Sequence, residues 1–234
     1  MPFISLVNKK MRVINLNIPR DYRRDRIVGK KIFFTVFATN KFEQYTLTVP
    51  FDISSLDTST KIEFDLNAGS DDVDLAQGHA FNSDGTKFFV VSKTAGATQL
   101  NAHSLSRPYD LSSDITQIAE DGIEWVTAFS AGDGSVLAHD ITFNNDGTKM
   151  YLLDTGHNSI GDGGVVEYDL SIPYDTSSAS FVNELVVSDV LSLFEQDIEF
   201  DDDGTRMYVI DSSNVDNTNV KIAVSKLSNP YHTS

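Results

Sequence analysis

The sequence predicts an all-β fold of four repeated sheets, and three observations predict it. One turn-and-strand stretch occurs three times, as FNSDGTKFFVVS from Phe81, FNNDGTKMYLLD from Phe143 and FDDDGTRMYVID from Phe200. A second signature recurs at Pro50-Phe51-Asp52, Pro108-Tyr109-Asp110, Pro173-Tyr174-Asp175 and Pro230-Tyr231-His232. The two alternate at steady spacing, 62 and 57 residues between the turn glycines Gly85, Gly147 and Gly204, and 58, 65 and 57 between the prolines. Self-similarity at this period marks a repeat architecture, and four candidate strands per unit of about 58 residues is the content of one β-propeller blade.

The third unit shows the elements most clearly. Ala138 to Phe143 reads as its inner strand, followed by the turn Asn144-Asn145-Asp146-Gly147. In the three copies Asp84, Asp146 and Asp203 hydrogen-bond nearby backbone, and Gly85, Gly147 and Gly204 take positive φ without steric cost. Thr148 to Asp154 is the second strand, apolar on both faces, as a strand sandwiched between neighbouring sheets must be. A polar loop, Thr155 to Gly164, leads to a third strand, Val165 to Leu170, and Pro173 breaks the ladder because it has no N–H to donate. The outer strand runs from Ser180 to Val187.

The second unit repeats this order with Gln77–Asn82, Thr86–Ser92, Gln99–Leu105 and Ile115–Ala119. The fourth has Gln196–Phe200, Thr205–Asp211 and Val220–Leu227, with no outer strand. In the first unit Gly29 to Phe34 matches Gly85 to Phe89 without a preceding DGT turn, Phe42–Val49 is the third strand and Lys61–Leu66 the outer one. Met11 to Ile18 is its expected inner strand. Pro2 to Val7 is expected to supply the strand missing from the fourth unit, removing an open edge. The expected organisation is therefore a basic segment, 1–28, giving the closing strand and the first inner strand, and a propeller over 29–234. Its blades would be 11–66, 76–120, 138–187 and 195–234 plus 2–7. The ring closes through the N-terminal strand or is completed by another subunit.

Composition bounds the function. Fifteen Phe and eight Tyr within 40% hydrophobic content indicate a folded core. The chain has no Cys, which excludes disulfides and thiolate metal sites. No secretory leader and no membrane span are expected from the apolar runs. The net charge of −16 is uneven: residues 1–31 hold nine of the eighteen basic residues and two acids, +7 against −23 for the rest. An acidic body argues against nucleic acid as a ligand, because phosphate binding needs a basic face.

The FxxDGTK turn-strand followed by Tyr168-Asp169-Leu170-Ser171-Ile172-Pro173-Tyr174-Asp175 resembles the PD40 and YVTN-type β-propeller repeats. It is similar to repeats carried by structural proteins of marine bacteriophages and by bacterial proteins. The resemblance covers roughly residues 29 to 234. It implies architecture, and it implies a virion protein assembled in the host cytoplasm, with other virion proteins, further copies of itself or host surface glycans as partners.

Candidate sites follow from the blade geometry. Inner strands surround a propeller's axis, and counting back from each turn glycine aligns Gln77, His139 and Gln196, then Gly78, Asp140 and Asp197, with His79 alongside. Such a ring suits a polar ligand or a cation, and a His–Asp pair suits acid–base work. Equally, Asp140 and Asp197 suit bonds to backbone amides of adjacent blades. Asp201-Asp202-Asp203 has the wrong register for a calcium loop, so no metal site is assigned. The loop Thr155 to Gly164 lacks the phosphate-binding patterns. Trp125, the only Trp, suits sugar stacking if exposed and a loop core if not. No catalytic residue is assigned and no cofactor is expected, since no hydrolase or metalloprotease signature occurs. The expected function is a non-enzymatic structural or binding propeller of a phage tail or fibre, against alternatives of a metal-dependent lactonase-like hydrolase and an intracellular interaction scaffold.

Overall fold

The structure is a computed structural model that describes residues 22–67, 75–94, 97–120, 138–154, 164–186, 195–212 and 220–233. The first sheet holds β1 (Tyr22–Val28), β2 (Lys31–Val36), β3 (Lys41–Leu47) and β4 (Leu56–Asp65). The second holds β5 (Ala76–Phe81), β6 (Lys87–Thr94), β7 (Ala97–Leu105) and β8 (Ile115–Glu120). The third holds β9 (Ala138–Phe143), β10 (Lys149–Asp154), β11 (Gly164–Leu170) and β12 (Ala179–Val186). Among the described residues the fourth has three strands, β13 (Glu195–Phe200), β14 (Arg206–Ser212) and β15 (Val220–Lys226). Every pairing is antiparallel between strands adjacent in sequence.

Alternate residues of β2, β6 and β10 feed two different cores, which is why these strands are largely apolar on both faces. Phe33 joins Phe88 and Val90 between the first and second sheets. Phe89 and Val91 join Met150 and Leu152 between the second and third. Tyr151 and Leu153 join Met207 and Val209 between the third and fourth. Three seams thus stack four sheets in sequence order.

The two repeated signatures prove to be halves of one joint. Tyr109, Tyr174 and Tyr231 have φ of 53°, 54° and 59°, a costly conformation for an aromatic residue. Each N–H donates to the carbonyl of the turn glycine in its own sheet: Tyr109 to Gly85 at 2.8 Å, Tyr174 to Gly147 at 2.9 Å and Tyr231 to Gly204 at 2.8 Å. Each ring lies flat on that glycine, where an added Cβ would sit 2.1–2.2 Å from ring carbons. Glycine is required there for space as well as for φ. In the first sheet Phe51 N–H still donates to Gly29 at 2.9 Å, but among the described residues no atom lies within 4 Å of a Cβ added at that glycine.

The inner strand of the first sheet is corrected. It is Tyr22–Val28, not Met11–Ile18, because Val28 pairs directly with Lys31 across the two-residue turn Gly29-Lys30, with Gly29 at φ 60°. So short a hairpin leaves β2 no other inner neighbour. The first outer strand also starts earlier than expected, at Leu56. Pro2–Val7 and Met11–Ile18 lie outside the described residues.

Burial in the second sheet sets a pH response. His103 is 3% exposed, its ring stacked on Phe88 at 4.7 Å between centroids and edge-on to Phe64 at 5.2 Å. Burial pushes its imidazole down from 6.5 to about 4. Above pH 6.5 it is neutral in both folded and unfolded chains. Below that the unfolded chain takes a proton that the folded one refuses, so stability falls until about pH 4. The expected loss is about 3 kcal/mol. Urea midpoints at pH 7 and pH 4.5 measure it, and His103→Phe should flatten the dependence; identical slopes in both proteins would reject this assignment.

Candidate functional site

Two polar residues of the inner strands, His79 and Asp140, fall on the seams. His79 is fully buried between the first two sheets, with Nδ1 2.8 Å from the Thr35 hydroxyl and its ring 4.8 Å from Phe42. Asp140 is fully buried between the third and fourth sheets, where Oδ2 accepts the Ile198 N–H at 3.0 Å. Gln77 is buried as well, while His139, Gln196 and Asp197 are half-buried. Gly78 explains why the aligned position carries no side chain in β5: a Cβ there would lie 2.1 Å from Asp140 Oδ1 and 2.6 Å from Asp140 Cα. β9 therefore packs directly on β5. Among the described residues no three His, Asp or Glu side chains are grouped as a metal ion requires.

Residues outside the expected set also bind sheet to sheet. Lys31 Nζ donates to the Tyr109 carbonyl at 2.8 Å, and Lys87 Nζ to that of Tyr174 at 3.5 Å. In the third seam the Tyr151 hydroxyl takes over this role and donates to the Tyr231 carbonyl. Lys149 is held elsewhere, by Glu167 at 2.7 Å and Asp169 at 2.6 Å. Burial works against the Lys149 ammonium, yet these carboxylates outweigh it and raise its pKa. Glu167 is fully buried, and its other oxygen accepts both the N–H and the hydroxyl of Thr233 at 2.9 Å. Gln44 acts in the same way in the first seam, accepting the Leu111 N–H at 2.8 Å. The signal for the lysines was present in the sequence, since a basic residue follows each turn at 31, 87, 149 and 206.

The DGT carboxylates are engaged locally. Asp84, Asp146 and Asp203 each accept the N–H and hydroxyl of the Thr two residues on. Those Thr bonds, hydroxyl first, hold the three carboxyls below their ordinary range. Asp201 accepts the Arg206 N–H at 2.8 Å, and the Asp202 carbonyl accepts the Asn145 side chain at 2.6 Å across the seam. Trp125 and residues 155–163 lie outside the described residues.

Among the described residues no sheet packs on the outer face of β14 and β15. With Met207 and Val209 turned to the third sheet, Tyr208 and Ile210 face away from it, and their cross-strand neighbours Val224 and Ile222 do likewise. Ile222 is 51% and Val224 55% exposed.

No protein-family profile matches this sequence, and no curated protein is similar to it in sequence. Solved structures do match. A protein of Bacteroides uniformis, provisionally named a 6-phosphogluconolactonase, superposes with a TM-score of 0.50 at 13% identity, over 88% of this chain and 57% of its own. A Lactobacillus plantarum protein gives 0.51 at 14% identity, over 88% and 54%. The fold is a β-propeller. The chain spans a little over half the length of these propeller structures, and at such identity the likeness extends to the fold alone.

Proposed function

We propose that this propeller is a non-enzymatic structural and binding module of a bacteriophage virion, placed in a tail or fibre, where it meets other virion proteins or host surface glycans. The observation that supports this most is that His79 and Asp140, the inner-strand groups suited to acid–base chemistry, are fully buried in seams and bonded to Thr35 and Ile198. They hold blades together. The placement on a phage particle rests on the resemblance of the repeat from Tyr168 to Asp175. A lactonase activity does not carry over from the Bacteroides uniformis protein, because 13% identity transfers a fold and no site.

Mass spectrometry of purified virions tests the placement, and absence of the chain from particles would reject it. A glycan array tests the binding role. Lactone hydrolysis by the purified protein, lost on chelation, would instead establish the enzyme reading.

A further inference from the structure

The seams differ in the titratable groups they hold, and the difference falls on an end sheet. Among the described residues the two buried histidines, His79 on β5 and His103 on β7, both lie in the first seam. The His79 Nδ1 meets the Thr35 hydroxyl of the first sheet, and its ring lies 4.8 Å from Phe42 and 6.4 Å from Phe81. His103 stacks on Phe88 and meets Phe64 of β4 edge-on, and its buried Nδ1 has no hydrogen-bond partner among the described residues. A proton on either ring puts a charge among phenylalanines. By contrast, the third seam is joined by Asp140, Lys149 and Glu167.

The charged groups along this seam do not relieve that cost. On the inner strand, Arg24 and Arg26 stand opposite Thr35 and Phe33 in register, both cationic positions. Asp110 is engaged by Lys31 at 3.7 Å and by Arg107 at 3.1 Å. On β8, Gln117 pairs with His103, and Glu120 pairs with Asn101 further along. Glu43, Lys61 and Glu63 belong to the other face of the first sheet, since Glu43 pairs with Phe34.

Among the described residues the apolar clusters join the first sheet to the second and to no other sheet. Sheets stacked in a row open most readily at an end, where one seam is lost instead of two. We propose that the first sheet, Tyr22 to Asp65, is an acid-released end unit: proton uptake by the seam histidines opens it from the second sheet before the remaining sheets separate. Opening bares Phe42, Phe64 and Phe88 together with both imidazoles, so exposure of this aromatic surface is tied to proton binding. The release is independent of where the protein resides, so its failure would leave the virion reading standing.

Hydrogen exchange of the full chain, read by mass spectrometry at pH 7.5 and pH 5.5, tests this. Carboxylates of ordinary pKa stay ionised at both values, so the histidines are the groups that change. Peptides from β1 to β4 should be less protected than those of the second and third sheets at both pH values, as a local opening requires. Their protection, corrected for the intrinsic exchange rate, should fall about tenfold at pH 5.5, as an imidazole near 6.5 when solvated and about 4 when buried requires. His79→Asn with His103→Phe should abolish the fall. First-sheet protection equal to that of the second and third sheets overturns the proposal, because global unfolding would then be the opening observed. So does a fall of less than about threefold in the wild-type chain, or one that the double variant retains.

Discussion

Glu167→Leu should unfold this protein at a distinctly lower urea concentration than any surface substitution, with a loss of about 3–5 kcal/mol. Glu167 is wholly buried in β11, between an ammonium of its own sheet and the C-terminal turn of the next. Removing it leaves the Lys149 charge, among the described residues, with the exposed Asp169 as its one partner, and it takes the acceptor from the Thr233 N–H. His232, with Nδ1 3.3 Å from the carboxylate, loses its neighbour too. Glu167→Gln keeps an acceptor for Thr233 and should lose less. Pairing Glu167→Leu with Lys149→Met should recover part of the loss, because the buried charge goes with its partner. A single Glu167→Leu chain within about 1 kcal/mol of wild type in urea titration would refute this account of the seam.

Gly78→Ala should be nearly as damaging, for a steric reason. The added methyl would meet Asp140 Oδ1 at 2.1 Å, Asp140 Cα at 2.6 Å and the His139 carbonyl at 2.7 Å. Two of these three atoms are backbone and cannot rotate away, so the second and third sheets must separate or the strands must shift. A loss of about 3 kcal/mol or more is expected, at the upper end for overpacking. Shortening the neighbour is the informative control. Asp140→Ala removes the nearest atom and leaves both backbone contacts, but it also takes the acceptor from the Ile198 N–H. Gly78→Ala is therefore measured in the Asp140→Ala background, where it should cost nearly as much in thermal unfolding as it does in wild type. Full rescue would show that the side chain, and not the close strand approach, makes glycine necessary.

The strands of the second, third and fourth sheets were legible because their signals are local. Asp, Gly and Thr within four residues specify each turn, and the doubly apolar stretch Met150 to Leu153 specifies a strand packed on both sides. The first sheet was misread where those signals are missing. Without a DGT turn, the hairpin at Gly29-Lys30 had to be recognised from one glycine, and the charged run Arg23-Arg24-Asp25-Arg26 hid β1, which apolar Met11–Ile18 seemed better suited to fill. The site was less legible than the fold. Glu167 reads as an ordinary surface acid, since nothing near it in sequence announces Thr233, 66 residues away.

By itself the sequence determined the period, the turn type at each DGT and the all-β character, because backbone preferences and alternation act over a few residues. Only the tertiary structure decided that each tyrosine ring seals a glycine more than twenty residues earlier and that His79 and Asp140 face seams. Those outcomes depend on how each sheet is turned against the next, a rotation set by the fit of the large side chains between them.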